Sequence, residues 1–309
     1  ARRMYGSAGD EIREILQLAC DRWQNVDWGS EGRAVLPDDV YEKSFTPEVV
    51  DRMRKLLASA QEKTAADKLL SKRMAFFAQP FDAFFTEAKM VHSGEGARPL
   101  IAGKVAEKPV VDGKLDEAWW DTLPVSTFMK NAGTATQVEP RYATELRVGW
   151  TLDGLAFGFT LEEPNTDALY TNMHGTDEGA LWFEDNVEIF FKPSGTSDGP
   201  LYQWIVSATP TLFDSKDMNA AWDTKGIEYD VSRGEGQWFV EVWIPYDGLR
   251  KDDFVRPATG VSWIGQFTRH RRSDYKTNPD SFREHTRLND PFGGFSRNLA
   301  NFAKIRFVE

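Results

Sequence analysis

Apolar residues recur every three or four positions along the first 92 residues, which is the periodicity of amphipathic α-helices. The three apolar stripes are Ile12, Ile15, Leu16, Ala19 and Trp23, then Val49, Val50, Met53, Leu56, Leu57 and Ala60, then Leu69, Leu70, Met74, Phe77, Phe81, Phe84 and Phe85. Thr46 and Pro47 predict the start of the second helix, because threonine is a favoured N-cap and proline fits the first helical position. Pro80 predicts a kink or break in the third. Residues 1–92 are therefore predicted to form a small helical bundle.

Beyond residue 105 the pattern indicates short β-strands separated by turns. The predicted strands are 146–150, 155–159, 186–191, 202–207, 226–231, 238–244 and 261–269. Asp153 and Gly154 join the first two as a hairpin, since Asp-Gly is a strong turn signal. Seven or more short strands at this spacing predict an antiparallel β-sandwich over residues 105–309.

Residues 93–104 are a predicted linker, because Ser93, Gly94, Gly96 and Pro99 interrupt the regular pattern. The two sides also differ in composition. Residues 1–100 carry 15 basic and 16 acidic residues, a net charge of −1, whereas residues 101–309 carry 22 and 32, a net charge of −10. Nine of the 11 tryptophans follow the linker. The sequence thus predicts a multi-domain α plus all-β chain.

Charge and hydropathy exclude several functions. The net charge is −11 and the pI is about 5.0, so we expect no nucleic-acid partner, which would need a basic surface. No apolar run approaches the ~18–20 residues that span a bilayer, so we expect no membrane partner. Cys20 is the single cysteine, which rules out an internal disulfide, and its apolar surroundings predict a buried thiol. Because the chain starts with Ala1 in the middle of an apparent motif, we expect a C-terminal part of a longer precursor.

Four segments of the β half carry a recognisable pattern, namely 110–119, 146–150 with its hairpin, 182–190 and 238–245. Their order and spacing resemble family 9 carbohydrate-binding modules and the related sugar- and haem-binding sandwich domains. The resemblance covers residues 105–309 and implies a non-catalytic module that holds a polysaccharide or oligosaccharide.

The first 92 residues resemble a different protein, through the stretch from Tyr5 to Ala8. They look like the helical tail that follows the (β/α)8 barrel in α-glucuronidase-like polysaccharide-degrading proteins. This second resemblance implies a catalytic domain N-terminal to this chain, a parent glycoside hydrolase, and a secreted, periplasmic or cell-surface location.

The resemblance to family 9 modules implies which residues contact sugar. Trp182 stands where the family supplies an aromatic wall, and Glu188 where it supplies a carboxylate for sugar hydroxyls. Strand alternation places Glu188 away from the apolar row of its strand. Gln203 opens the next strand as a polar candidate, whereas Trp204 is expected in the core. The alternatives are that Trp182 caps the sandwich edge and that Glu188 is solvated or paired with an arginine.

The strand beginning at Trp263 runs into a basic cluster that ends at Arg272. The resemblance implies that this strand contributes an amide and a basic group, for which Gln266, Arg269 and Arg271 are the candidates. Because arginine binds carboxylates and sulfates bidentately, the cluster would suit a uronic-acid or sulfated glycan. The alternative is that these arginines pair with the many acidic residues of the domain.

The family's second aromatic wall has no tryptophan counterpart near the C-terminus of this chain. Phe292, Phe295 or Trp222 is the candidate substitute. A domain without the second wall either takes a different ligand or is a structural accessory with a degenerate sugar site. A haem-binding reading would need His174 with Met173 or Met218 as axial ligands.

Asp112, Asp116 and Glu163 are candidate ligands for a structural calcium, which the resemblance implies near the Asp-Gly-x-x-Asp-Glu motif. Clustered carboxylates on loops supply the oxygens that calcium requires. The alternative is turn and helix-cap chemistry at Asp112 and Asp116. Glu184 and Asp185 are adjacent on a strand and point to opposite faces, so they cannot flank one glycosidic bond. We find no catalytic constellation in the sequence.

Overall fold

The computed structural model describes residues 1–24, 39–93, 97–131, 137–171, 181–194, 199–249, 254–273, 283–290 and 301–309. The chain divides into two compact units, Ala1–Gly96 and Ala97–Glu309. In the part of the chain that is described, no helix combines the length and the apolar character needed to cross a membrane.

The first unit is helical. Its α-helices are α1 (Arg2–Tyr5), α2 (Gly9–Gln24), α3 (Pro47–Thr64) and α4 (Lys68–Ser93), with a 3-10 turn at Gly6–Ala8 and a π-helical turn at Asp39–Ser44. The predicted stripes form its core, which includes Ile12, Ile15, Val50, Met53, Leu57, Ala60 and Met74.

Local sequence signals explain where the helices begin. Helix α3 begins at Pro47 as predicted, and the carboxylate of Asp67 accepts the backbone N–H groups of Leu69 and Leu70 at 2.8 and 3.0 Å, which caps α4. Pro80 does not break α4, which runs through it. Cys20 is exposed, so the prediction of a buried thiol is wrong.

The second unit is one continuous sheet that curls over itself. Its strands are β1 (Leu100–Lys104), β2 (Ser126–Thr127), β3 (Lys130–Asn131), β4 (Gln137–Val138), β5 (Thr144–Trp150), β6 (Gly154–Glu162), β7 (Asn186–Lys192), β8 (Tyr202–Ser207), β9 (Leu212–Lys216), β10 (Glu228–Gly234), β11 (Gln237–Pro245), β12 (Ser262–Arg271), β13 (Glu284–Arg287) and β14 (Ala303–Val308). Short 3-10 turns occur at Trp120–Thr122, Thr166–Ala168, Leu181–Phe183 and Tyr246–Gly248.

The strand order along the main path is β10-β11-β6-β5-β1-β14-β12-β7-β8-β9, with β13 beside β12 and β2 beside β5. Strands β3 and β4 pair only with each other within the described sheets. The path closes into two packed layers, since Phe157 of β6 stacks on Phe191 of β7 with ring centroids 6.3 Å apart. The predicted fold class, a helical unit followed by a β-sandwich, is confirmed.

Strand β1 joins the two layers and pairs in parallel with both β5 and β14, whereas the other pairings of the main path are antiparallel. Leu100 and Ala102 of β1 are buried in the main core. Part of the predicted linker, residues 93–104, is therefore a central strand. The short β1 sequence lacks the polar alternation that reveals a half-exposed strand, because a strand with neighbours on both sides is largely buried.

Candidate functional site

An exposed aromatic pair precedes β7. Trp182 and Phe183 lie in the 3-10 turn Leu181–Phe183, with 37% and 58% of their surfaces exposed and ring centroids 5.8 Å apart. Leu181 of the same turn is buried against Ile205 and Phe213, which anchors the turn to β8 and β9. Sequence reasoning singled out Trp182 and missed Phe183, although the two are neighbours. We call this pair the aromatic platform.

Asn186 ties the platform to the start of β7. Its side-chain amide donates to the carbonyl oxygens of Leu181 at 2.7 Å and Glu184 at 3.0 Å. The backbone N–H of Glu184 also donates to the carbonyl of Leu181, at 3.0 Å. Because side chains two residues apart share a face of a strand, Asn186 and Glu188 point to the same side. The platform thus adjoins the face that carries Glu188.

We define the site face as the side of β7, β8, β12 and β13 that points away from the main core. Val187, Ile189 and Phe191 point into the core, so Glu188 lies on the site face, as alternation predicted. Thr268 of β12 is directly opposite Glu188 in the register. Both residues are buried, and the hydroxyl of Thr268 has no hydrogen-bond partner among the described residues.

Two histidines stand beside Glu188 on the site face. Nε2 of His270 lies 3.2 Å from Oε1 of Glu188, and the His270 ring stacks on His285 with centroids 4.0 Å apart. Arg287 donates to Nδ1 of His285 at 3.3 Å and pairs with Asp290 at 2.6 Å. Burial, with help from the charges of His270 and Arg287, lowers the pKa of His285, so this ring stays neutral.

The histidines appeared scattered in the sequence, because no local sequence pattern indicates the register in which β12 pairs with β13. That register places His270 opposite His285 and Thr268 opposite Arg287. Strand β13 has only four residues and was not predicted. The polar half of the site face could have been found by applying alternation to β12, where residues 266, 268 and 270 share one side.

The two glutamine candidates lie on the site face in different surroundings. Gln203 is half-buried opposite Phe190, and its side-chain oxygen accepts a hydrogen bond from Ser215 at 3.4 Å. Gln266 is fully buried, and its amide donates to the backbone carbonyls of Asn289 at 2.6 Å and Asn301 at 3.1 Å. Gln266 therefore holds the segments that contain Asn289 and Asn301 against the site face of β12.

Arg269 and Arg271 point to the side of the sheet opposite to Glu188, because odd and even positions of β12 face opposite ways and Thr268 is the residue paired with Glu188. Arg269 is buried and donates to the carbonyls of Glu162 at 2.7 Å and Ala143 at 3.0 Å. Arg271 pairs with Glu163 at 2.7 Å. Burial lowers the pKa of Arg269 to about 10. The structure therefore brings these two arginines into a buried network on the side of the sheet opposite to Glu188.

The other tryptophans mostly fill the sandwich. Trp120, Trp204, Trp238 and Trp263 are fully buried, and Trp150 and Trp243 nearly so. Trp222 is partly buried against Tyr202 and Trp204, with ring centroids 5.1 and 6.3 Å away, on the core side of β8. It therefore does not face Glu188. Phe292, Phe295, Met173 and His174 lie outside the described residues, and Met218 is exposed.

The three carboxylates named for calcium do not come together. The backbone N–H of Asp112 bonds Glu241, in the middle of β11, whereas that of Glu163 bonds the carbonyl of Gly236, before β11 begins. Five residues of strand separate these anchor points, about 16 Å at ~3.3 Å per residue. Glu163 is already neutralised by Arg271, and Asp112 by Lys114 at 2.6 Å.

Asp116 is exposed. Within the described ranges, no group of three or more His, Cys, Asp or Glu side chains is placed to hold a metal ion. These three residues therefore do not fit a shared calcium site, and calcium binding by this chain stays a prediction.

Comparisons with known proteins address the second unit. Residues 111–261 match the family model described as carbohydrate family 9 binding domain-like. A family 9 carbohydrate-binding module from Caldicellulosiruptor kristjanssonii, solved in complex with cellotriose, has 17% identity and a TM-score of 0.50, covering 68% of this chain and 93% of that chain.

A candidate carbohydrate-binding protein from Bacteroides uniformis has 15% identity and a TM-score of 0.52, covering 68% of this chain and 99% of that chain. Among curated protein sequences, none matches significantly. At these identities the structural likenesses establish the fold alone. The β unit thus has the fold of a family 9 carbohydrate-binding module, and residues 111–261 are similar in sequence to that family.

Proposed function

We propose that the second unit binds a glycan on its site face, with the aromatic platform stacking on a sugar ring and Glu188 accepting hydrogen bonds from sugar hydroxyls. The observation that carries this proposal is the adjacency of an exposed Trp182–Phe183 pair to a buried polar group on one face. A pyranose presents axial C–H groups, which pack on aromatic rings, and hydroxyls, which bond to carboxylates.

The polar half of the proposed site is made by Glu188, His270 and Thr268. Glu188 and His270 lie 3.2 Å apart, and the buried Thr268 hydroxyl faces the same side with no partner among the described residues. A buried polar group without a partner is costly, and a sugar hydroxyl would satisfy it. His270 is the partly exposed member of this group, whereas Glu188 and Thr268 are buried, so a ligand would approach the group from the His270 end of β12.

A neutral glycan fits this face better than a uronic or sulfated one. Arg269 and Arg271, which suggested an anionic ligand, are in the buried network on the other side of β12. Among the described site-face residues, the cation Arg287 is paired with Asp290, Lys192 donates to the carbonyl of Gly199, and Glu188 adds a negative charge. A carboxylate or sulfate on the ligand would therefore meet an acidic group without a dedicated cation.

The wider context of the chain is also a proposal. The resemblance of residues 1–92 to the helical tail of α-glucuronidase-like proteins supports an accessory module of a secreted or cell-surface polysaccharide-degrading enzyme. In that setting the β unit keeps a catalytic domain near its substrate, and the chain itself is not the enzyme. Co-purification of a native precursor with polysaccharide hydrolase activity tests this context directly.

A structural accessory role is the second candidate. Glu188 is buried and Gln266 is fully bonded to the backbone of Asn289 and Asn301, as in a closed domain surface. A calorimetric panel of neutral, uronic and sulfated oligosaccharides, with cellotriose included, separates the two roles. Binding of a neutral oligosaccharide that needs Trp182 supports the sugar site, whereas a protein that binds no member of the panel is a structural accessory.

A further inference from the structure

Asp185 joins three segments at the aromatic platform. It lies between the turn Leu181–Phe183 and β7 and is fully buried. Its carboxylate accepts the backbone N–H of Tyr170 at 2.7 Å and the backbone N–H of Arg272 at 2.9 Å. The hydroxyl of Ser273 lies 3.2 Å from the same carboxylate and 2.8 Å from Oε2 of Glu163, to which it donates at the shorter distance. The Asp185 side chain thus holds the backbone at two places, Tyr170 before the turn and Arg272 after β12.

The backbone of Asp185 strengthens this junction. Its N–H donates to the carbonyl of Tyr170 at 3.0 Å, and its carbonyl accepts the N–H of Ala208, after β8, at 2.8 Å. Trp182 is three residues earlier, in a turn closed by the bond from Glu184 to Leu181. The position of the turn that carries Trp182 therefore depends on where Asp185 is held.

The charge of Asp185 is set by groups on several neighbouring elements. Arg269 of β12 favours the charged form, whereas Glu163, which follows β6, opposes it. Arg271 of β12 neutralises Glu163, and Glu284 of β13 acts on Arg269. Burial dominates and raises the pKa of Asp185 to about 6. The folded state therefore holds this proton more tightly than an opened state would, so weak acid does not by itself open the junction.

We propose that Asp185 is the positioning residue of the candidate sugar site: its charged carboxylate clamps the backbone at Tyr170 and Arg272 and thereby fixes the aromatic platform. This inference rests on the proposed function and deepens it. It explains why a buried carboxylate with no ligand-facing role stands directly between the platform and the strand that carries Glu188.

The test compares D185N with wild-type protein and with E241Q. Glu241 is a suitable control because it is another fully buried carboxylate that accepts two backbone N–H groups, those of Asp112 and Gly113, on the outer side of the other layer. At pH 7.5, we expect D185N to bind the oligosaccharide selected with wild-type protein at least tenfold more weakly and E241Q to bind it within twofold. D185E, which keeps the charge, should recover part of the loss.

Hydrogen–deuterium exchange gives a second, ligand-free readout. At pH 7.5 the Tyr170 and Arg272 amides should be protected in wild-type protein and exchange at least tenfold faster in D185N, because the side-chain NH2 group of asparagine cannot accept one of these two backbone N–H groups. The β5–β6 amides should stay protected in both. If D185N does not fold, D185E, whose longer side chain displaces the carboxylate, and S273A should each bind about threefold more weakly and provide the test.

The outcomes separate this inference from the proposed function. Wild-type protein that binds no oligosaccharide of the panel overturns the proposed function and this inference with it. A wild-type protein that binds sugar while D185N binds equally well, or Tyr170 and Arg272 amides that are equally protected in D185N and wild-type protein at pH 7.5, overturns the positioning role alone.

Discussion

Glu188 of β7 and His270 of β12 meet on the face of the sheet that points away from the main core, with Oε1 and Nε2 3.2 Å apart. His270 is backed by the stacked and neutral His285. The pair combines a hydrogen-bond acceptor with a partly exposed imidazole next to an aromatic platform. A carboxylate in this position can accept a hydrogen bond from a sugar hydroxyl that approaches it.

We expect E188Q to weaken oligosaccharide binding about tenfold, because hydrogen bonds to charged groups contribute ~1.5–3 kcal/mol. Isothermal titration calorimetry at pH 7.5 measures the change. E228Q is the matched control, since Glu228 is exposed on β10 and pairs with Lys108. Equal dissociation constants for E188Q and E228Q would show that Glu188 does not contact the ligand.

We expect R269M to lower the free energy of unfolding by about 3–5 kcal/mol, because its loss leaves buried acceptors and carboxylates without a partner. The affected acceptors include the carbonyls of Glu162 and Ala143. Urea denaturation measures the change, and R306M is the control on the exposed side of β14. A stable R269M protein that has lost sugar binding would place Arg269 in the ligand site instead.

Glu241 should make stability fall as the pH rises towards neutrality. Burial, with the nearby charges of Glu117 and Asp112, raises its pKa from about 4.5 to about 7. The folded state therefore holds this proton more tightly than the unfolded state, so the stabilisation is complete below about pH 4.5 and is lost between pH 4.5 and 7.

E241Q mimics the protonated side chain and removes this dependence. We expect E241Q and wild-type protein to be equally stable near pH 4.5 and E241Q to be more stable by about 3 kcal/mol at pH 8, at ~1.36 kcal/mol per pKa unit. Thermal unfolding across this range measures the difference. A difference that is constant with pH would contradict the raised pKa.

Calcium should not act through Asp112, Asp116 and Glu163. Because these carboxylates do not share a site, we expect chelation with EDTA, or addition of millimolar calcium, to change the Tm by less than about 1 °C through them. D112N and wild-type protein should respond identically. A calcium-dependent rise in Tm that D112N abolishes would restore the ligand set implied by the sequence.

The sequence predicted those parts of the molecule whose determinants are local. The apolar stripes of α2 and α3, the Asp-Gly hairpin between β5 and β6, and the motif around Trp182 each specify their structure within about 20 residues. Strand β1 was missed because its role depends on two distant partners, β5 and β14. Its five residues carry no signal of that pairing.

In the candidate site, too, the sequence predicted only the features whose determinants are local. Alternation placed Glu188 correctly on its strand, and the same rule separates Gln266 from Arg269 and Arg271, which had been grouped by composition. The contact between His270 and His285 depends on the register of β12 with β13. Residues that are 15 positions apart with no periodic pattern cannot be paired without that register.

The most direct measurement of the central claim is the affinity of W182A for the neutral oligosaccharide that wild-type protein binds, by isothermal titration calorimetry at pH 7.5. Trp23, the exposed tryptophan of α2, provides the matched control W23A. We predict that W182A binds at least tenfold more weakly, a loss of ~1.4 kcal/mol or more, while W23A binds as wild-type protein does. Equal affinity of W182A and W23A would contradict a sugar site at the aromatic platform.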